Sequence, residues 1–205
     1  MALKVPVRPA APEDLDDLAH VLALAFDNDP VTRWHLPEDS QRIPTMERFF
    51  EFTLQSMLPP LGAVWTTEDR AGVAAWLPHQ PAKEQDADES SSSALDEIFG
   101  RDAWMVQAIL RIQQDHQPLE RHHYLQFMGT RPDRQGSGIG AALMAAGLAW
   151  CDADSLPAYL DASSPLSRDF YIRFGFSVVD TFEVPDGPRF WHMLRVPSAR
   201  SPVIQ

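Results

Sequence analysis

Residues 135–140 read Gln135-Gly136-Ser137-Gly138-Ile139-Gly140, three alternating glycines between a strand-like run and a long apolar helix. Glycine permits φ > 0 and lets backbone approach a ligand without a Cβ in the way, so successive N–H groups can converge on an anion at a helix N-terminus. The chemistry this pattern predicts is the cradling of a pyrophosphate, and with it the binding of a nucleotide-bearing cofactor. A nucleoside-triphosphate loop needs Lys and then Ser or Thr after its last glycine, whereas Ala141 and Ala142 follow Gly140. A dinucleotide fingerprint spaces its glycines Gly-x-Gly-x-x-Gly with an acid about twenty residues on. Asp161 falls near that distance, but the single alternation of Gly136, Gly138 and Gly140 does not fit.

Proton chemistry has its own set of residues. Tyr171 sits in Asp169-Phe170-Tyr171-Ile172-Arg173-Phe174-Gly175-Phe176, and a phenol, with an ordinary pKa of about 10, stays protonated at neutral pH and can donate. Proton acceptors are Asp27 and Asp29 in an Asp-Asn-Asp-Pro turn, the His122-His123 pair, and His192 beside Trp191. Each also has a structural reading, as turn former, strand entrance or sheet residue. The single cysteine, Cys151, cannot form an internal disulfide and has no His nearby in sequence, and adjacent histidines do not have ligand spacing. No metal and no cysteine nucleophile are expected.

The elements that must hold these groups follow from periodicity. A strand is predicted over 5–8, then a helix opened by Pro12 with Leu15, Leu18, Leu22, Ala25 and Phe26 on one face. A second helix carries Met46, Phe49, Phe50, Leu54 and Met57 and ends at Pro59-Pro60, and residues 28–44 read as a connecting turn. Strands over 63–67 and 73–77 form a hairpin, and a helix over 102–114 places Trp104 in the core. A strand over 124–130 leads into the glycine loop, the loop helix runs over 138–152, and a short strand over 158–162 precedes a helical turn over 168–174. Two strands, 176–184 and 189–196, close the chain around Pro185-Asp186-Gly187-Pro188. This order predicts an α+β fold, a mixed central sheet with helices on both faces.

At 205 residues and 44% hydrophobic content the chain suits one domain over 1–205, with a mobile acidic loop at 80–97 rich in Asp, Glu and Ser. A formal net charge of −12, with Lys only at Lys4 and Lys83, argues against nucleic acid and suits a cationic partner. No run approaches the roughly 18 apolar residues of a membrane span, and the first residues lack a signal peptide's apolar stretch. A cytoplasmic protein without membrane contact is the expectation, with the oligomeric state left open.

The loop, its lead-in strand and Phe170-Tyr171-Ile172-Arg173-Phe174-Gly175-Phe176 resemble the GNAT acetyltransferase superfamily, with its Gln/Arg-x-x-Gly-x-Gly/Ala signature and Phe-Tyr-x-x-x-Gly-Phe segment. Residues 25–30 and 184–193 look like the puromycin N-acetyltransferase branch, so the resemblance spans nearly the whole chain. It implies a three-layer α/β/α fold with a mostly antiparallel sheet, and acetyl-CoA as cosubstrate. It places the pyrophosphate on Gln135, Gly136, Ser137, Gly138, Ile139 and Gly140, and the pantetheine arm on the backbone of Met128, Gly129 and Thr130. Tyr171 matches the tyrosine that protonates the leaving thiolate. The implied reaction is direct transfer of acetyl to a primary amine of a small molecule. A protein or peptide N-acetyltransferase and a noncatalytic acyl-CoA sensor are the alternatives. Two segments depart from the superfamily. Gln126 and Met128 stand where some members have a basic glutamate, so the base must be another residue or water. Ser163-Ser164-Pro165 stands where many have an asparagine that contacts the cofactor.

Overall fold

The computed structural model describes residues 5–57, 63–79 and 89–197. The strands are β1 (Val7–Pro9), β2 (Ala63–Thr67), β3 (Gly72–His79), β4 (His122–Thr130), β5 (Ala158–Ala162), β6 (Ser177–Glu183) and β7 (Arg189–Arg195). The helices are α1 (Leu15–Phe26), α2 (Pro30–His35), α3 (Asp39–Met57), α4 (Glu89–Phe99), α5 (Ala103–Asp115), α6 (Ile139–Asp154) and α7 (Pro165–Ile172). The seven strands among the described residues join one mixed sheet in the order β1-β2-β3-β4-β5-β7-β6. β4 and β5 are parallel and every other pair is antiparallel.

Strand alternation sorts the apolar side chains to two faces. On one, Leu18, Leu22, Phe49, Phe50, Leu54 and Val106 of α1, α3 and α5 close over Val73 and Ala75. On the other, Ile139, Leu143, Met144 and Leu148 of α6 pack on Ala74, Trp76, Leu125 and Leu160. Cys151 is fully buried in this second layer and burial pushes its thiol up to about 12, which makes it a packing residue and removes the thiolate. No helix among the described residues is long and apolar enough to cross a membrane.

Several expectations are corrected. Residues 89–97 are helical, because Leu95, Ile98 and Phe99 supply an apolar face that packs into the α1/α3 layer; residues 80–88 of the expected acidic loop lie outside the described residues, as do Pro59-Pro60 and 198–205. The connecting turn at 28–44 contains α2 and the start of α3, capped at Asp29, whose side chain accepts the Val31 N–H at 2.9 Å. Trp104 is 63% exposed on the outer face of α5 and is not core. The turn at 168–174 is a full helix from Pro165, because Ser164 accepts the Ser167 N–H at 3.1 Å.

The sheet passes close under α1. A Cβ at Gly129 would lie 2.8 Å from Ala25 Cβ and 3.1 Å from Leu22 Cδ2, so glycine is what lets the end of α1 settle on β4. Gly129→Ala is expected to force the helix outward and to cost about 1–3 kcal/mol, the usual range for overpacking. Urea unfolding of the two proteins checks this; equal midpoints would contradict the close approach.

Candidate active site

β4 and β5 pair only at His123↔Ala158, Tyr124↔Tyr159 and Leu125↔Leu160. Beyond Leu125 the strands diverge, and β4 continues to Thr130 with one edge unpaired by β5. The cause lies on the other edge, where Ala75 pairs with Phe127 and Trp76 with Leu125, which leaves Gln126 as the extra residue of a β-bulge. The bulge also changes the phase of the strand. Before it, His123 N–H donates to Pro157 at the β5 edge; after it, Arg131 N–H donates to Ala71 at the β3 edge, at 2.9 Å. Counting back from Arg131 by twos, Gly129 and Phe127 address β3, and Met128 and Thr130 turn their N–H and C=O groups into the gap. Gln135 Nε2 donates to the Thr130 carbonyl there at 3.3 Å.

The glycine loop stands at the far end of this strand. Gly136 and Gly138 take φ of +75° and +89°, left-handed values that cost a residue with a Cβ. Gly138 is the N-cap of α6 with no side-chain cap on the first turn, which leaves the N–H groups of Ile139, Gly140 and Ala141 without an intrahelical acceptor. Ser137 Oγ is turned inward to the Arg134 carbonyl at 2.5 Å and Ile139 is buried in the core, so both offer backbone only. Gly140 lies where a Cβ would touch Met128 Cε at 3.5 Å and Phe170 at 3.6 Å, which joins the loop to β4 and to α7. Of the three strand residues expected at the cofactor, the structure turns Met128 and Thr130 to the gap. Gly129, the third, faces β3 with its backbone, and its missing Cβ admits α1.

Tyr171 projects from α7 beside Phe170 and Phe176, with no hydrogen bond to its oxygen among the described residues. Burial raises its pKa well above the ordinary phenol value, and the nearby Asp29 carboxylate raises it further. Asp29, at the end of α1, accepts from Ser163 Oγ, from the loop that leaves β5. Burial holds the Asp29 carboxyl above its ordinary range, against the lowering effect of the hydrogen bonds from Ser163 and the α2 backbone. The residues that sequence left undecided thus separate. Asp27 is spent on Arg42, which is 1% exposed and also ties down Asp39 and the Leu36 and Pro37 carbonyls. His123 pairs with Asp154 at 2.8 Å at the start of β4, about 17 Å along the strand from Met128. Asp29 alone of the two aspartates shares the end of β5 with Tyr171. Ser163 stands where many superfamily members have a cofactor-contacting asparagine, and its bond to Asp29 has no sequence signal. Among the described residues no group of three His, Cys, Asp or Glu could hold a metal ion.

Such a split between parallel strands, with an uncapped glycine loop after it, defines a class of acyl-CoA-handling folds. The chain belongs to the acetyltransferase (GNAT) family, whose model matches residues 60–176. Solved structures with the same fold include histone acetyltransferase HPA2 and related acetyltransferase from Corynebacterium glutamicum, 24% identical over 98% of this chain and 100% of that one, with a TM-score of 0.72. Arylalkylamine N-acetyltransferase 2 from Aedes aegypti is 16% identical over 96% and 100%, with a TM-score of 0.71. A ribosomal-protein alanine N-acetyltransferase from Escherichia coli is 15% identical over 98% of each chain, with a TM-score of 0.55. The family handles acetyl-CoA, and these relatives' names cover both small-molecule and protein acceptors.

The raised carboxyl of Asp29 carries a stability consequence. Its folded pKa lies above the unfolded value near 3.8, so the neutral form is favoured in the fold, and its contribution is present below that unfolded pKa and lost as pH rises through the folded one. Asp29→Asn, whose Oδ1 can still accept the Val31 N–H while its Nδ2 donates to Ser163 Oγ, is expected to raise Tm at pH 7–8 and to give no gain at pH 3. Thermal unfolding at the two pH values checks the sign; a lower Tm at pH 7–8 would show that the charge is stabilised, not strained.

Proposed function

We propose that this protein transfers the acetyl group of acetyl-CoA to a primary amine of a small molecule by direct attack. The observation that carries the reading is the convergence, at the mouth of the β4/β5 gap, of a free backbone donor (Met128 N–H), a protonated phenol (Tyr171) and a partly buried carboxyl (Asp29). The pyrophosphate would sit on the N–H groups of residues 136–140, and the pantetheine arm would use the open edge at Met128 and Thr130. Met128 N–H would stabilise the thioester oxygen as it gains charge.

An alkyl ammonium of pKa about 10 must lose a proton, at a cost of about 4 kcal/mol at neutral pH, and Asp29 with Ser163 is the acceptor. A carboxyl raised above its usual range is a stronger base than an exposed one. Tyr171 then protonates the leaving thiolate; its raised pKa keeps it in the donor form through the neutral and mildly alkaline range. Asp29 supplies the carboxylate that Gln126 and Met128 do not, which supports an enzyme over a noncatalytic acyl-CoA sensor. The acidic balance of the chain supports a cationic amine, puromycin-like compounds included.

The test is coenzyme A release from acetyl-CoA with puromycin, arylalkylamines, polyamines and short peptides. Release with a small amine is expected; release with peptides alone would replace the small-molecule reading by a protein one. Tyr171→Phe is expected to lower kcat by about 100-fold or more with acetyl-CoA affinity unchanged. Asp29 must be unprotonated to act, so kcat/KM should fall as pH drops through a value above the ordinary carboxylate range. That acid limb should vanish in Asp29→Asn along with most of the activity. An unchanged limb in that variant would assign the base elsewhere.

A further inference from the structure

A second hydrogen-bonded cluster meets the gap from the α1/α5 side of the sheet and has no part in the scheme above. Asp161 is the first β5 residue beyond the last β4–β5 pair, Leu125↔Leu160. Its Oδ2 accepts from the Tyr124 hydroxyl at 2.8 Å, and its Oδ1 accepts from His192 Nδ1–H. The side chains of Asp161 and His192 are each 1% exposed. The Tyr159 hydroxyl lies 2.5 Å from the same Nδ1 and donates to the His116 carbonyl at 3.3 Å. The His192 ring stacks 4.9 Å from His116 and 4.8 Å from Phe182, and its Nε2 is buried without a hydrogen-bond partner among the described residues. A carboxylate taken this far out of water is costly. β5 and β7 already pair through five residues of backbone ladder here, so joining the strands does not require it.

Register places Tyr124 at the floor of the gap. It pairs with Tyr159 one step before the ladder ends, and its hydroxyl reaches the residue one step past the end. Burial first, then the Asp161 carboxylate and lastly Tyr159 and Tyr171, raise the Tyr124 pKa well above the ordinary phenol value. The reaction leaves one proton without a destination. An ammonium nitrogen becomes an amide by losing two protons; Asp29 takes the first, before attack. The second leaves the positively charged nitrogen of the tetrahedral adduct.

We propose that the second proton goes to Tyr124, with Asp161 as its receiver and His192 as the positioning residue that holds Asp161. In that step the N–H bond breaks, its proton passes to the Tyr124 oxygen, and the phenol's own proton moves to Asp161 Oδ2. The electron pair stays on nitrogen and completes the amide as the C–S bond breaks. Tyr171 gives its proton to sulfur and recovers one from the Tyr124–Asp161 pair. The net yield is one proton to solvent, from Asp29. The other titratable or charged groups facing this cluster among the described residues are Tyr159 on β5, His122 on β4 against the Tyr159 ring, His116 after α5, Asp180 on β6 and Tyr171 on α7. This proposal rests on the acetyl-transfer reading above.

The experiment compares the wild type with Tyr124→Phe, Asp161→Asn, His192→Leu and His192→Asn, the last returning an amide N–H near the position of Nδ1. Acetyl-CoA affinity by titration confirms that each variant is folded, and kcat is measured in H2O and D2O with the amine that the wild type accepts. Tyr124→Phe and Asp161→Asn are expected to lose about tenfold or more in kcat. They should show a larger solvent isotope effect than the wild type and keep its acid limb, which belongs to Asp29. His192→Leu should follow them and His192→Asn should recover part of the loss. Folded Tyr124→Phe and Asp161→Asn with wild-type kcat and isotope effect, or with losses confined to KM, would overturn the proposal while acetyl transfer stands. A wild type that binds acetyl-CoA and acetylates no amine would overturn both readings.

Discussion

The structure depends on where the ladder between β4 and β5 stops. A bulge at Gln126 bends β4 away from β5 and resets its phase, and in a strand the phase of the backbone and the face of the side chain are bound together. Phe127 consequently points into the α1/α3 layer, where its ring meets Phe50 at 5.1 Å, Phe49 at 5.8 Å and Phe26 at 6.4 Å. The same geometry turns Met128 and Thr130 to the open edge. Without the extra residue, the phase set by His123 would send the N–H groups of Phe127 and Gly129 into the gap and break up the aromatic cluster. Core packing and the direction of the Met128 N–H are therefore set together at one residue.

The second constraint is the placement of charge. Arg42 gathers Asp27, Asp39 and two carbonyls and so fixes the chain between α1 and α3. Trp34 fixes its middle, donating from Nε1 to the Asp186 carbonyl at 2.8 Å, with Gly187 packed against its ring. Between these anchors Asp29 is held beside Ser163 and Tyr171, with no cation paired to it among the described residues. The structural aspartates, Asp14 with Arg8 and Arg70 and Asp152 with Arg195, each have arginine partners. The partly buried carboxyl of Asp29 has hydrogen bonds from Ser163 and Val31 in place of an arginine.

Much of this was legible in the sequence, and the misses share a cause. Local patterns foretold the seven strands, the glycine loop and its helix, because apolar alternation, helical spacing and glycine act within a few residues. The helical character of 89–97 was hidden because its Ser-rich polar face outweighs Leu95, Ile98 and Phe99 in composition, and only packing on α3 reveals their spacing. The Asp29–Ser163 contact joins residues 134 apart in the chain, and the Asp161–His192 contact depends on β5 lying beside β7. Neither has a local signature. Gly129 shows the subtler limit: its proximity to the site was readable, but which way its backbone points is set by a bulge that only pairing with β3 defines.

Residue-resolved amide hydrogen exchange with and without acetyl-CoA tests the central claim most directly, because the claim is about alternate amides on one strand. The account predicts that bound acetyl-CoA slows exchange at Met128, Thr130 and the first turn of α6, Ile139 to Ala141, and leaves Phe127 and Gly129, already bonded to β3, as they were. Protection at Phe127 and Gly129 in place of Met128 and Thr130, or protection confined to another part of the sheet, would contradict it.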